Sequence, residues 1–501
     1  MIRRVVVSAM CCALWVLSTG CGDECVDAFD CRADEGQPPA GQEWTCNSDN
    51  ECELRAVTVP EVDAGTDAGV VDAGTDAGMD AGMDAGTDAG TEEDAGTDAG
   101  TDAGVDGGSM TVGKDGPCVF SGDCIAGFRC EGTPSTCQAM HLAVTGNTDA
   151  GTPKALVVRY ETPGMVPLTD GDTSSRYPRW GPGGTRISFA QGAVETGDPV
   201  AGALVVRDIP LAAGQATVLA DGGTGNTESF RYMEWEPGAY IAYVRRNGTS
   251  TSGISVVPTD GGTVMTATGE GTFPDWKDAT TFAFSTATVG LSTSTVGGSP
   301  TVITGPGGTA EQPLYNRVNN QLLFLRRDDT KPEGFDTSLF LIPVSGGTVQ
   351  PIAEFESEPA TGGGGSVDSY VANPNWAPDG TWVAFVRAYY SNPTGGTPVL
   401  CGNAEATLCP SDPGNIIHLR KINPSTGAGD GAEVPFVTGG TLPSFSPDGR
   451  FIAYIQGGQL YVQEINPTTG AKVGSAIVHP RGGYALQTSA GDDHRPRWQP
   501  K

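Results

Sequence analysis

Polar and charged side chains recur directly before large aromatic residues in the second part of the chain, at intervals of about 40 to 70 residues. Guanidinium and carboxylate groups can pair with each other or bind a polar ligand through charge-assisted hydrogen bonds. If the aromatic residues are equivalent points of a structural repeat, the residues before them face one common axis. The seven positions are Arg179, Glu234, Asp275, Leu314, Asn375, Ser444 and Arg497.

Three more aromatic residues lie two positions before this set in its first three copies, and we expect them at the rim of the same channel. Ligand sites combine apolar walls with a few polar groups, so the two sets together predict a binding site. The alternative is that the charged groups only pair with one another around a water-filled channel. The candidate binding residues are Tyr177, Arg179, Tyr232, Glu234, Phe273, Asp275, Asn375 and Arg497.

The usual catalytic signatures are absent from the sequence. It contains no Gly-x-Ser-x-Gly elbow, no His-Glu-x-x-His, no phosphate-binding P-loop and no dinucleotide glycine fingerprint. Its four histidines, His141, His418, His479 and His494, belong to no recognisable nucleophile or metal motif. We therefore expect a non-catalytic binding protein without cofactor or metal. The alternative is an enzyme, such as a lyase or glycan hydrolase, with its site in the channel.

The stretch Leu442–Tyr454 shows which elements position these residues. Within it, Ser446-Pro447-Asp448-Gly449 has the composition of a tight turn, because proline presets φ at the second position and glycine accepts a left-handed conformation. Runs of β-forming residues flank the turn, which predicts a hairpin. The second run, Phe451–Ile455, is apolar throughout, as is typical of a strand covered on both faces.

The same pattern occurs seven times, and its copies align on one large aromatic residue, here called the anchor. Six of the seven anchors follow a proline by two positions, and further short strands come after each turn. Several strands in each period of about 40 to 70 residues predict an all-β, seven-bladed β-propeller, with a sandwich or solenoid as the alternative. The anchors are Trp180, Trp235, Trp276, Tyr315, Trp376, Phe445 and Trp498.

The number of blades depends on how the chain ends are used. Trp498 has no strand after it, whereas three β runs between residues 141 and 168 precede the first anchor. Joining the two ends completes one four-stranded blade and leaves no unpaired sheet edge between blades. We therefore predict a ring of seven blades closed by N- and C-terminal strands, with six blades as the alternative.

The repeat Pro-x-Trp-Ser/Ala-Pro-Asp-Gly-x-x-Ile/Val-Ala-Phe/Tyr resembles that of TolB-like propellers, which are related to WD40-like repeats. Residues 376–385 and 445–454 match it best, and the resemblance extends over residues 141–501. It implies the propeller fold. It does not imply one function, because such propellers serve as scaffolds, receptors and accessory domains.

Residues 1–20 have the composition of an export signal, with Arg3-Arg4 before the apolar run 5–17. Gly20-Cys21 resembles the bacterial lipoprotein cleavage box, in which the cysteine receives the lipid. The leucine of that box is displaced to Leu17, so an ordinary signal peptide is the alternative. Residue 22 is glycine rather than the aspartate that retains such proteins in the inner membrane. The resemblance implies a lipid anchor at Cys21 in the outer membrane.

Ten cysteines remain after removal of the signal and lipidation of Cys21. Exported proteins favour disulfides, and the cysteines fall into even groups of four, four and two, so we predict local pairing within each group. The connectivity inside each quartet stays open, and a zinc site using Cys137 and His141 is a weaker alternative. The three groups are Cys25, Cys31, Cys46 and Cys52; Cys118, Cys124, Cys130 and Cys137; and Cys401 and Cys409.

Two Cys-rich modules, residues 21–61 and 109–140, flank a repeat of Asp-Ala-Gly units over residues 62–108. This segment has no aromatic or basic residue, so we expect a disordered, extended stalk rather than a calcium-binding β-roll. The chain carries a net charge of −31, which disfavours binding to nucleic acid. The sequence thus predicts a monomeric, lipid-anchored envelope protein whose propeller binds envelope proteins or glycans.

Overall fold

The computed structural model describes residues 42–46, 52–56 and 112–501, except 120, 193–194, 197, 200–201, 210–215, 222–227, 236–237, 248–249, 307–308, 328–336, 361–362, 410–412 and 489–493. The chain divides into two compact units, residues 1–103 and 104–501. In the first unit, the antiparallel strands Gln42–Cys46 and Cys52–Ala56 place Cys46 opposite Cys52. The predicted signal peptide, Cys21, Cys25, Cys31 and the stalk lie outside the described residues.

In the second unit, seven antiparallel sheets form a ring, and six of them are built from consecutive strands. We name these blades 1 to 6 in chain order. From the innermost strand outward, blade 1 consists of Ser175–Trp180, Arg186–Gln191, Ala203–Asp208 and Thr217–Asp221; blade 2 of Glu228–Glu234, Tyr240–Asn247, Ser250–Pro258 and Met265–Thr266; and blade 3 of Thr272–Trp276, Thr281–Thr286, Gly290–Thr295 and Thr301–Val302.

Blades 4 to 6 form the second half of the ring, and an insertion makes blade 5 the largest of them. Blade 4 consists of Ala310–Asn316, Gln321–Arg327, Thr337–Pro343 and Gln350–Ala353; blade 5 of Gly365–Trp376, Trp382–Pro393, Asn415–Ile422 and Gly429–Thr438, with Glu356–Pro359 and Val399–Leu400 added; and blade 6 of Gly440–Phe445, Phe451–Gln456, Gln459–Ile465 and Lys472–His479. The insertion contains the predicted disulfide Cys401–Cys409.

The seventh sheet, here called the closing blade, joins the two ends of the propeller. Strands His141–Thr148, Pro153–Arg159 and Val166–Pro167 come from the N-terminal side. Two short segments, Tyr484–Leu486 and Arg497–Trp498, both pair with His141–Thr148 and form the inner strand. The predicted seven-bladed closure is confirmed, and the inner strand includes a segment, Tyr484–Leu486, that the sequence prediction omitted.

The hydrophobic core is divided into seven main clusters, one between each pair of neighbouring blades. Each anchor packs in the cluster between its own blade and the preceding one. Four indole anchors also donate their Nε1–H to the preceding blade, to the carbonyl of the residue before its anchor. In the closing contact, Trp180 donates to Arg497 O at 3.0 Å. A large aromatic residue is needed because it must reach across the gap between two sheets.

In blades 1 to 6, the residue two positions before the anchor, a proline in all but blade 2 where it is Met233, lies at a β-bulge in the innermost strand. The register shifts there in blades 1 to 6, and the residue just before the proline or methionine has a left-handed φ of 48–57°. Proline has no N–H to donate and is therefore tolerated at bulges. Non-glycine residues rarely adopt this φ, and its recurrence in six blades makes it a feature of the architecture. The residues concerned are Tyr177, Tyr232, Phe273, Gln312, Asn373 and Leu442.

The second Cys-rich module packs directly on the closing blade. It contains the 3-10 turn Ser121–Asp123 and the strands Phe128–Glu131 and Thr136–Ala139. The disulfides Cys118–Cys130 and Cys124–Cys137 confirm local pairing within this quartet. Phe128 lies in the same cluster as Tyr160, Phe451 and Trp498, so the module extends the core between blade 6 and the closing blade.

Three minor elements complete the described structure. Pro182–Gly184 forms a 3-10 turn after the anchor of blade 1, and Glu195–Thr196 pairs with Asp198–Pro199 in a small hairpin. Among the described residues, no helix combines the length and the apolar character needed to cross a membrane.

Candidate functional site

Side chains from all seven blades converge at one end of the axial channel, in a cavity of about 440 Å³ that we call the channel-end cavity. Five of the eight candidate residues line it, because the position before each anchor projects from the innermost strand toward the axis. The lining consists of Arg179, Trp180, Glu234, Trp235, Asp275, Trp276, Arg317, Asn375, Trp376, Pro378, Ser444, Phe445, Ser446, Pro447, Arg497, Trp498, Pro500 and Lys501.

Glu234 is held between two arginines at the base of this cavity. Its Oε1 accepts hydrogen bonds from Arg179 Nε at 3.2 Å and from Arg497 Nη2 at 2.9 Å. Burial alone would raise the pKa of Glu234, but the positive charges of Arg497 and Arg179 outweigh it and lower the pKa. The carboxylate therefore stays ionised and ties blade 2 to blade 1 and to the closing strand.

Asp275 and Asn375 make the same contact in different blades. The backbone N–H of Tyr315 donates to Asp275 Oδ2 at 2.6 Å, and that of Phe445 donates to Asn375 Oδ1 at 2.9 Å. In both cases the donor is the anchor of the next blade, and that anchor lacks an indole N–H. The side-chain oxygen thus supplies the link between blades that an indole provides elsewhere in the ring.

Asp275 differs from Asn375 because it can titrate. Burial raises the pKa of Asp275 to about 7, the nearby Glu234 raises it further, and Arg317, Arg497 and the hydrogen bond from Tyr315 oppose the rise. Near neutral pH the group is therefore divided between its neutral and charged forms. Perturbed carboxyl groups in a cavity are typical of functional sites, although ion pairs in the core also shift pKa values.

The channel narrows beyond the arginines to a space of about 30 Å³, which has room for only one or two waters. Tyr232 and Phe273 line this space, and their ring centroids are 4.2 Å apart. Tyr177 lines neither space. Only 2 % of Tyr177 is exposed, and its ring stacks on His494 with centroids 5.3 Å apart. The expectation that Tyr177 lies at the rim is therefore corrected, because its ring packs on His494 and in the core cluster between blades 1 and 2.

Sequence reasoning missed three basic residues of the channel, Arg317, Arg495 and Lys501. A signal existed for Arg317, because its position, two after the anchor, is proline in five of the seven copies. The arginine there marks a blade that lacks the repeated turn, and its Nε donates to Trp276 O at 3.4 Å in the wall of the cavity. Arg495 directly precedes Pro496 and so occupies the repeated position of Tyr232 and Phe273, which is a signal that the sequence analysis did not use. Lys501 occupies the turn position three residues after its anchor, where the sequence predicts only a turn residue.

A groove of about 800 Å³ lies between the second Cys-rich module and the outer part of the closing blade. Its polar side chains already hold the module in place. Arg129 donates to Gly183 O at 2.6 Å and to Pro500 O, and Gln499 donates to Glu131 Oε1 at 2.8 Å. We therefore place the candidate site at the channel end and not in this larger groove.

The described lining of the channel-end cavity contains no histidine. His418 is buried in blade 5 and stacks on Phe385, and burial lowers its pKa to about 4. His141 Nδ1 donates a hydrogen bond to Gln499 Oε1 at 3.0 Å, while Cys137 is bonded to Cys124. The pairing of Cys137 excludes the zinc site considered from the sequence. The sulfurs of Cys118, Cys124 and Cys137 lie within 4.8 Å of one another because two disulfides are adjacent.

The sequence matches no protein-family model and no curated protein. Solved structures similar to it include TolB from Acinetobacter baumannii, with 14 % identity, 72 % of this chain and 67 % of that chain covered, and a TM-score of 0.35. An oligogalacturonate lyase from Vibrio parahaemolyticus is 14 % identical, with coverages of 68 % and 84 % and a TM-score of 0.41. At these identities the likeness concerns the fold only, and the seven sheets described above establish the propeller.

Proposed function

We propose that this protein is a lipid-anchored envelope protein whose propeller binds a polar ligand in the channel-end cavity. The observation that carries this proposal is the convergence of side chains from all seven blades on one open space of about 440 Å³. That volume falls within the range typical of small-molecule sites. A propeller has a central channel in any case, so the support lies in the charged and polar side chains that line this space.

The envelope location is supported by the N-terminal sequence and by the cysteines. Arg3-Arg4, the apolar run 5–17 and Gly20-Cys21 have the order of a lipoprotein signal. The three disulfides of the described residues suit an oxidising compartment outside the cytoplasm. On this proposal, residues 62–108 separate the propeller from the membrane, and its partners are envelope proteins or glycans.

Anchoring is tested by Cys21→Ser, with Cys12→Ser as the matched control because Cys12 leaves with the signal. We expect Cys21→Ser to move the protein into the soluble fraction and to abolish labelling by a palmitate analogue. The control should behave like the unmodified protein. A Cys21→Ser variant that still labels and sediments with membranes would contradict the lipid anchor.

Ligand binding is tested with the full mature chain incubated with fractionated glycans and peptides from the envelope. We expect retained material to be identified by mass spectrometry and to be lost in Arg317→Ala. Arg450→Ala is the control, because Arg450 pairs with Glu464 at 2.9 Å outside the cavity. Equal retention by both variants would show that the channel-end cavity is not the site.

The enzyme alternative has one observation in its favour, the opposite pKa shifts of Glu234 and Asp275. Pairs of carboxyl groups with separated pKa values are typical of acid–base sites. However, Glu234 is bound by two arginines and Asp275 by the backbone of the next blade. Recovery of a retained glycan in cleaved form would favour this alternative, and recovery of the intact ligand favours binding.

A further inference from the structure

The channel-end cavity is basic in a protein that is otherwise acidic. The whole chain has a net charge of −31, and the propeller, residues 141–501, contributes −10 of it. Among the described residues that line the cavity, four side chains are basic and only Glu234 and Asp275 are acidic. Basic side chains gathered at one concave site in an acidic surface attract anions locally.

The basic groups also have the geometry to bind an anion. Arg179 and Arg497 share the single carboxylate of Glu234, so two positive charges face one negative charge. Arg317 belongs to the wall of the same cavity, and Lys501, whose Nζ lies 3.6 Å from Asp448 Oδ2, belongs to its edge. Guanidinium groups present planar pairs of donors that match carboxylates and oxyanions.

The equivalence of Asp275 and Asn375 shows what the carboxyl group adds. Each accepts one hydrogen bond from the anchor N–H of the next blade, so an amide is sufficient for the structural contact. A carboxyl group at this position brings a titratable charge into the cavity, where a negative charge opposes the binding of an anion. Its protonated form removes that charge and provides an O–H donor.

From these observations we propose that the channel-end cavity binds a small dianion, a dicarboxylate or an oxyanion, and that binding is coupled to protonation of Asp275. The inference rests on the proposed binding function and specifies its ligand class. The groups that act on Asp275 are Glu234 from blade 2, Arg317 from blade 4, Arg497 from the closing strand and the N–H of Tyr315.

The direction of the pH dependence follows from these groups. Glu234, held by two arginines, stays ionised, whereas Asp275 becomes neutral as pH falls through about 7. The cavity then gains one unit of positive charge, so a dianion binds more tightly at lower pH. A bound dianion in turn favours the neutral form of Asp275, so binding takes up a proton from solution.

The test is calorimetric titration of the full mature chain with tartrate and with sulfate, which both stay doubly ionised between pH 5.5 and 8.5. We expect saturable binding that is about tenfold tighter at pH 5.5, the effect of one unit charge a few ångströms away in a partly solvated site. Repeating the titration in buffers of different ionisation enthalpy should show proton uptake near pH 7. The two anions distinguish a dicarboxylate site from an oxyanion site.

Three variants make the result specific. Asp275→Asn should bind at pH 8.5 as tightly as the unmodified protein does at pH 5.5, without proton uptake. Arg317→Ala should lose at least tenfold in affinity, and Arg450→Ala should bind normally. Binding that is insensitive to Arg317→Ala, or a pH dependence that persists in Asp275→Asn, would overturn the proposal.

The ligand class and the binding function can fail separately. If neither anion binds but envelope material is still retained in an Arg317-dependent way, the anion proposal is wrong and the binding site stands. If anions do not bind and retention does not depend on Arg317, both proposals are wrong.

Discussion

The closing blade and blade 5 each carry a disulfide-bonded addition, and the two additions relate differently to the ring. Cys124 and Cys137 of the second Cys-rich module are buried in the cluster that contains Trp498. In blade 5, Cys401 and Cys409 are buried with Ala406 in a small cluster of their own. The first addition therefore takes part in the closure of the ring, whereas the second is attached to a blade that is already complete.

The buried arginine of the module and the buried arginine of blade 5 differ in the same way, in whether their contacts join separate parts of the ring. Arg129 of the module donates to backbone carbonyls of Gly183, in the turn of blade 1, and of Pro500, in the C-terminal segment. Gly184 has a φ of +64°, and a side chain there would collide with the Arg129 guanidinium. In blade 5, Arg387 forms a bidentate pair with Glu433 in the same blade, at 2.6 and 2.7 Å. The module thus joins blade 1 to the C-terminal segment, whereas the Arg387–Glu433 pair lies within one blade.

The largest expected effect concerns the closing strand. Deleting residues 495–501 removes Trp498 and the hydrogen bonds of Gln499 to His141 and Gly184, so we expect a loss of more than about 5 kcal/mol in the free energy of unfolding or failure to fold.

The point variant Trp498→Ala should lower the free energy of unfolding in urea by about 3 to 5 kcal/mol. Trp376→Ala, the anchor of blade 5, should cost less, because that indole is less buried and its blade is continuous in sequence. Equal losses of stability in Trp498→Ala and Trp376→Ala would contradict the proposed difference between the closing blade and blade 5.

The disulfides give a smaller effect of the same kind. Loops of 13 and 8 residues differ by only about 0.5 kcal/mol in closure entropy, so loop length cannot separate the two regions. Packing can. Replacing Cys124 and Cys137 by alanine should lower the stability of the whole propeller by about 3 kcal/mol. Replacing Cys401 and Cys409 should open the insertion locally and leave the main unfolding transition unchanged.

The control for this experiment is the unmodified chain, oxidised and treated with reductant, followed by calorimetry. A global transition that shifts equally in both double variants would show that the blade 5 insertion is also part of the ring. Hydrogen exchange confined to the insertion in the Cys401/Cys409 variant would support local opening.

The sequence was sufficient to predict the ring because its signals are local. Each anchor, its preceding proline and its turn lie within a dozen residues, and they repeat, so the seven blades and the closure could be predicted. The pairing of Cys118 to Cys130 and of Cys124 to Cys137 could not be chosen within its quartet. The docking of the module was missed, since Gly127 N and Asp448 Oδ2 meet at 2.8 Å across 321 residues. No local pattern reports such a contact.

The candidate site was predicted in part for the same reason. Arg179, Glu234, Asp275, Asn375 and Arg497 occupy a repeated position, so the repeat places them on one axis. Tyr177 was misplaced because its ring stacks on His494, which is 317 residues away in the sequence. Arg317 replaces a repeated proline, and such departures from a repeat indicate where a regular scaffold has acquired a particular side chain.

The smallest expected effect is on acid stability and compares His418 of blade 5 with His141 of the closing blade. Burial lowers the pKa of both, that of His418 to about 4, and the hydrogen bond that His141 donates to Gln499 Oε1 opposes the shift of the His141 pKa. A group whose folded pKa lies below its unfolded value loses its stabilising contribution as pH falls, here between about 6.5 and 4 for His418. Between pH 8 and pH 5 the unmodified chain should therefore lose about 1 to 2 kcal/mol more of its free energy of unfolding than His418→Gln loses. The corresponding difference for His141→Gln should be smaller, because Gln499 favours the charged form of His141 in the unmodified chain and opposes the lowering of its pKa. Urea unfolding of both variants at pH 5 and pH 8 measures the difference. If the difference from the unmodified chain is larger for His141→Gln than for His418→Gln, then the closing blade, and not blade 5, is the part of the ring more sensitive to acid.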